Sequence, residues 1–210
     1  MTVGLPTWRG GLVLLAAGLL FLGFAFVCRS AWLPLIAGQL VYEGPVAPAD
    51  ALVVENYGHD YLAFERAAEL MHDGYANRAF APVFIFRNPE RPGLVSGGFA
   101  EVMIRVAGLE NVQLVPVQER EPITLSVARQ VAETLVREKV RSVIVVSPSL
   151  RSARSCRVYK QVLEPKGITV YCKPSGGNRS PSNWWRSLHG IQEVGLELVK
   201  YWYYRLWVLR

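Results

Sequence analysis

The sequence predicts an α/β fold, a parallel sheet of about five strands covered by helices on both faces and preceded by one transmembrane helix. Three observations carry this expectation: an uncharged apolar run near the N-terminus, a series of short apolar, β-branched segments, and the amphipathic segments that alternate with them. Such alternation is typical of parallel strands joined by crossover helices.

The apolar run extends from Gly10 to Cys28, with Arg9 and Arg29 at its two ends. A helix needs about 20 residues to cross the hydrocarbon core, and basic residues suit the headgroup layers on either side. The apolar part of a cleaved signal peptide is shorter, about 7–15 residues, and ends at a small-residue site that is missing here. We therefore expect residues 1–29 to be a tail and a transmembrane anchor.

Basic residues flank both ends of the anchor, so the charge bias is nearly balanced. We expect a single-pass protein of the cell inner (cytoplasmic) membrane, with the lipid bilayer as a partner and the C-terminal domain outside. Residues 30–48 are predicted to be a stalk, residues 49–180 the α/β domain, and residues 181–210 an aromatic-rich C-terminal helix. That last helix packs either on the domain or on the membrane interface, and the sequence leaves both open.

The strand candidates share a continuous apolar, β-branched character that fits strands buried on both faces. They are residues 51–54, 83–86, 112–117, 142–146 and 169–172. The helix candidates between them carry apolar residues at helical spacing. They are residues 61–72, 97–107, 124–139 and 152–163, followed by a terminal helix over about 181–206.

The formal net charge of +6 fits an anionic membrane surface or an acidic ligand. We expect no nucleic-acid partner, because no basic run interleaves with aromatic residues in a nucleic-acid motif. Cys156 and Cys172 lack metal-ligand spacing. A disulfide between them is allowed outside the cytoplasm, but the sequence favours two buried thiols.

Ligands of open parallel sheets bind beyond the carboxyl ends of the strands. The loop after the fourth strand places Ser147, Arg151 and Arg154 beside a helix start, where Ser149 and Ser152 are candidate caps. Free backbone N–H groups and two guanidinium groups suit a phosphate or carboxylate. The competing interpretation is an ordinary capped helix with solvated arginines.

The other strand ends add Glu55 and Asn56 after the first strand and Thr124 after the third. The same rule also selects residues 57–60, Arg87, Asn88 and residues 92–98, with weaker signals. We expect no metal, since the histidines share no ligand spacing, and no cofactor, since the first strand lacks a glycine-rich phosphate turn.

In order and spacing, several strings resemble the ElyC/SanA/YdcF family of bacterial envelope proteins. They are ADALVVE, FERAAELMHDGYANR, ITLSVARQVAETL, VIVVSPSLRSARSCRVYKQVLEPKGITVY and the tryptophan-rich tail. The resemblance implies a Rossmann-like domain and a role in envelope or surface-polymer metabolism. Arg66, Ser147, Thr124 and Arg154 fit the family pattern. Leu150 and Arg151 stand where a histidine is usual, which removes the obvious proton-transfer group.

These observations predict a membrane-anchored domain that binds an anionic, phosphate-bearing envelope intermediate at its strand ends, with catalysis left open. The alternative is a non-enzymatic accessory or scaffold protein that docks a membrane protein partner through its sheet edge and aromatic tail.

Overall fold

A computed structural model of the chain describes residues 8–56, 61–88, 91–95, 97–177 and 179–209. For residues 9, 86–88, 91–95 and 97, the backbone alone is described. The loop candidates 57–60 and residue 96 therefore lie outside the described residues. The side chains of Arg87, Asn88 and residues 92–97 are not described either.

The chain begins with two consecutive helices. Helix α1 spans Trp8–Val27 and α2 spans Arg29–Gly38, with Cys28 outside helical geometry between them. Within α1, residues Gly10–Val27 are long and apolar enough to cross a membrane, and none of them is buried against the rest of the chain. The N-terminal helix predicted from the apolar run is confirmed.

Five parallel strands form the sheet, in the order β4-β2-β1-β5-β6. Their bounds are β1 Ala51–Val54, β2 Ala79–Asn88, β4 Val112–Val117, β5 Ser142–Ser147 and β6 Thr169–Pro174. The α/β fold class predicted from the sequence is confirmed. One further strand, β3 (Arg91–Val95), pairs antiparallel with the end of β2, where the sequence predicted a loop.

Two pairs of helices cover the two faces of the sheet. Helices α3 (Tyr61–His72) and α4 (Gly97–Ala107) pack against one face. Helices α5 (Ile123–Arg137) and α6 (Ser152–Leu163) pack against the other. The chain winds from β1 towards β4 and then returns past β1 to β5, so the strand order reverses between β1 and β5. Ligands of doubly wound sheets bind at such a reversal.

The C-terminal helix packs against the segment that was predicted to be a stalk, residues 30–48. Helix α7 spans Leu188–Tyr203 and continues as a π-helical turn to Val208. Its Val194 and Tyr201 share a buried cluster with Ala37 of α2 and with Leu40, which follows α2. The residues predicted to be a stalk therefore begin with a helix that packs on the domain.

Cys156 and Cys172 form a disulfide that links α6 to β6. The preference for two buried thiols was wrong. Both residues are buried on the same face of the sheet, where α6 packs against β6 and brings them together. A spacing of 16 residues does not reveal this, because it depends on how the crossover helix packs.

Candidate functional site

The carboxyl ends of β1 and β5 lie side by side, because Val54 and Val146 are partners in the parallel ladder. Glu55 and Asn56 follow β1, and Ser147 ends β5. All three are buried; Glu55 is only 1% exposed. The sequence identified Glu55 as a candidate ligand-binding residue, but the structure encloses its side chain beneath α6.

Glu55 accepts a hydrogen bond from the Ser155 hydroxyl at 2.7 Å on Oε2, while its Oε1 has no partner. Burial raises the pKa of Glu55 to about 7, against the Ser155 hydrogen bond and the charges of Arg154 and Arg151, which lower it. A carboxyl group removed from water favours its neutral form. Near neutral pH, the Glu55 carboxyl group is therefore protonated in a substantial fraction of the molecules.

Arg154 is the centre of a second, ionic group on the α6 side of the strand ends. It is 6% exposed. Its Nη2 donates to the Glu197 carboxylate at 2.7 Å, and its Nη1 donates to the Thr124 hydroxyl. The guanidinium also lies 5.2 Å from the centre of the Tyr204 ring, whose hydroxyl accepts from the Thr124 backbone N–H. Thr124 and Arg154, predicted as site residues from distant segments, thus meet directly.

Glu197 faces three basic side chains, from α7, from α6 and from the 3₁₀ turn before α6. Besides Arg154, Arg151 lies 3.5 Å away and Lys200 donates at 3.2 Å. Burial works against the charge on this carboxylate, but Arg154 and the other cations outweigh it and hold the pKa of Glu197 below its ordinary value. The same pairing keeps the pKa of Arg154 above its ordinary value despite burial. Both groups are therefore charged in the folded protein.

Sequence reasoning missed Glu197. A signal for it was present, because Val194, Glu197 and Tyr201 recur at spacings of three and four and so share one helix face. That face packs inward, so a glutamate on it needs a buried cation. Its partner lies 43 positions earlier in the chain, and periodicity alone does not identify it.

A cleft of about 350 Å³ opens beside this ionic group. Its lining combines Thr124, Arg151, Arg154, Glu197 and Lys200 with aromatic rings from the end of α7 and with Glu119 and Glu121. Three of the predicted site residues, Thr124, Arg151 and Arg154, therefore line one cleft. The acidic side chains balance the basic ones, so the cleft carries no large excess of positive charge.

The start of α6 is less free than the sequence suggested. Ser149–Arg151 form a short 3₁₀ turn before it, and neither Ser149 nor Ser152 caps the helix through its side chain. The Ser152 hydroxyl accepts from the Tyr42 backbone N–H, and the Leu40 carbonyl accepts from the Ala153 N–H. The Ala153 backbone N–H was expected to be free for a ligand at the start of α6. Instead it is bonded to the segment that follows α2.

Arg66 lies apart from these residues. It pairs with Glu69 on α3 and lines a separate cleft of about 450 Å³, together with Lys173 and Ser175. Arg66, a candidate from the family pattern, thus does not line the same cleft as Arg154, because α3 covers the face of the sheet opposite α6.

A larger cleft, about 950 Å³, lies at the amino ends of the strands. Its polar groups serve the fold: Asp50 accepts from the backbone N–H groups of Arg141 and Ser142, and Asn111 donates to the Asn77 carbonyl. In an α/β sheet this edge is opposite the ligand-binding edge. Among the described side chains, no three His, Cys, Asp or Glu residues lie close enough to hold a metal ion.

Comparison of the chain with protein-family models, curated proteins and solved structures gives no significant match in any of the three.

Proposed function

We propose that this protein is anchored in the bacterial cytoplasmic membrane and binds an anionic, phosphate-bearing intermediate of envelope or surface-polysaccharide biogenesis. The apolar α1 supports the anchor. The Cys156–Cys172 disulfide supports a domain outside the cytoplasm, since disulfides persist in oxidising compartments. The resemblance to the ElyC/SanA/YdcF family supports the envelope role.

The proposal depends on one observation: Arg151 and Arg154 form ion pairs with the Glu197 carboxylate at the wall of an open cleft. Guanidinium groups bind carboxylate and phosphate oxygens with the same donor geometry. The protein's own carboxylate therefore occupies the position that a phosphate oxygen would take.

A phosphate enters this cleft by replacing Glu197 as the partner of the cations. Arg151 is suited to this exchange, because its side chain is partly exposed and its Nε lacks a hydrogen-bond acceptor. Lys200 is half-exposed at the same carboxylate and supplies further donors. The Thr124 hydroxyl holds Arg154 in position through its Nη1.

Calorimetric titration of the full chain in detergent micelles tests the proposal. The probes are inorganic pyrophosphate, a free phosphate, and farnesyl phosphate, a lipid-linked one. Because a hydrogen bond to a charged group contributes about 1.5–3 kcal/mol, Arg151→Ala is expected to weaken binding roughly 10- to 100-fold. Arg157→Ala is the matched control, since Arg157 lies on α6 with an exposed side chain outside the cleft.

Farnesyl phosphate binding much more tightly than pyrophosphate would assign a lipid-linked ligand, and equal affinities would assign a free one. If neither probe binds, or if Arg151→Ala behaves as Arg157→Ala does, the proposal fails.

A further inference from the structure

Helix α7 exposes an apolar face although its other face packs on the domain. The exposed residues, here called the outer face of α7, fall on one side of the helix at its 3.6 residues per turn. They are Leu188, Ile191, Leu196, Val199, Trp202 and Tyr203, and their exposed fractions lie between 42% and 70%. Trp207, in the turn that follows, is 66% exposed.

The exposed side of α7 is more apolar than that of a water-facing surface helix, although His189, Gln192 and Lys200 are exposed as well. One of the two glutamates of α7, Glu197, is buried on the inner face together with Val194 and Tyr201. An ordinary surface helix buries its apolar side and turns its charges outward. An apolar stripe of this length on the outside marks a surface that contacts something other than water.

The position of α7 points to the bilayer as that contact. The Trp184 indole, just before α7, donates to the Leu33 carbonyl at 3.2 Å. Leu33 is six positions after Val27, where α1 ends, and at 1.5 Å per residue this is a rise of at most about 9 Å. The start of α7 is therefore held within the reach of the headgroup layer. Cys28 interrupts the helix between α1 and α2, so the two need not continue in one direction.

The charges around the outer face favour the same contact. The exposed charged residues of this segment are all basic: Arg186, Lys200 and Arg205. Its remaining acidic group, Glu193, is paired with Arg179. Basic residues beside an apolar stripe with tryptophan and tyrosine are typical of helices that lie in the interface of anionic membranes. On α2, Trp32 and Leu35 are also exposed and extend the apolar surface towards α1.

We propose that the outer face of α7 lies in the headgroup layer of the bilayer that α1 crosses, so that the α/β domain rests on the membrane surface. This inference depends on the membrane placement proposed above and not on the phosphate ligand.

Spin labels on the full chain test it, in vesicles of phosphatidylcholine and phosphatidylglycerol. In a Cys28→Ser background, single cysteines replace Leu15 in α1, Val199 on the outer face, and Val136, which is 50% exposed on α5. The ratio of collision with oxygen to collision with a water-soluble nickel complex measures depth. Val199 is expected to give a ratio between the deep Leu15 label and the aqueous Val136 label. Ile191→Cys repeats the measurement if the Val199 variant does not fold.

A deep Leu15 label with Val199 as aqueous as Val136 would overturn the inference while leaving the anchor in place. An aqueous Leu15 label would overturn the anchor itself, and the inference with it. Dipolar coupling between the Val199 labels of two chains would show that a second copy of the chain, and not the bilayer, covers the outer face of α7. Loss of collision with both reagents would mean that protein covers Val199, and either outcome contradicts the proposal.

Discussion

Glu55 predicts an unusual dependence of stability on pH. In the folded domain burial raises its pKa to about 7, from an ordinary value of 4.5. Below pH 4.5 both the folded and the unfolded chain carry the proton. Between 4.5 and 7 the unfolded chain releases it while the folded domain keeps it, so this group makes folding less favourable as the pH rises. At about 1.4 kcal/mol for each tenfold difference in proton affinity, the loss amounts to about 3 kcal/mol above pH 7.

Glu55→Gln removes this dependence, because the amide is neutral at every pH and its oxygen still accepts the hydrogen bond from the Ser155 hydroxyl. Relative to the wild type, we expect the variant to gain about 3 kcal/mol between pH 4.5 and pH 8, which for a chain of this size is roughly 6–12 °C in Tm. Thermal unfolding of the full chain in detergent, followed by near-ultraviolet circular dichroism at several pH values, measures the difference.

The charged groups around Glu55 are Arg154, Arg151 and Glu197, and all three are unchanged in this variant. Glu133→Gln, an exposed carboxylate on α5, is the matched control and is expected to follow the wild type. Parallel Tm curves for wild type and Glu55→Gln would show that Glu55 is not held neutral by burial, and the reasoning would be refuted.

Three further predictions concern the ion pairs and the disulfide. Glu197→Gln leaves buried cations without their carboxylate and should lower the free energy of unfolding by about 3–5 kcal/mol at neutral pH. Since the Glu197 pKa is lowered in the folded protein, this deficit should shrink as the pH falls below 4.5. A deficit that does not depend on pH in denaturant titrations would contradict this. Reduction of the Cys156–Cys172 disulfide opens a loop of 16 residues and should cost about 3 kcal/mol; an unchanged Tm in dithiothreitol would mean that packing alone holds α6 to β6. Arg66→Ala should leave pyrophosphate affinity unchanged, because Arg66 lies in the other cleft; a loss comparable to that of Arg151→Ala would place both residues in one site.

The sequence predicted the sheet well where a strand is continuous in apolar, β-branched residues, as in β5. It predicted only the middle of β2, because Ala79, Ala81 and Pro82 are poor strand formers whose places in the ladder are set by their neighbours. It missed β3, because Pro92 and Gly93 are typical of loops. The pairing of β3 with β2 depends on the tertiary structure, which the local sequence does not determine.

The candidate site was predicted in part. Thr124 and Arg154 were identified because both follow buried strands, and the topology brings such positions together. The expectation of a free helix start was wrong, because it depends on Leu40 and Tyr42, which return to α6 from more than 100 positions away. Glu197 was not predicted, because the aromatic residues of its segment indicated core packing or the membrane interface and gave no signal for a buried carboxylate.

The most direct test of the account is the affinity of the Glu197→Gln protein for pyrophosphate, measured by calorimetry below its melting temperature. If Arg151 and Arg154 form an anion site that the glutamate occupies, removing its charge frees both cations, and the variant binds more tightly than the wild type. Affinity equal to or weaker than that of the wild type would show that the ion pair serves the fold alone.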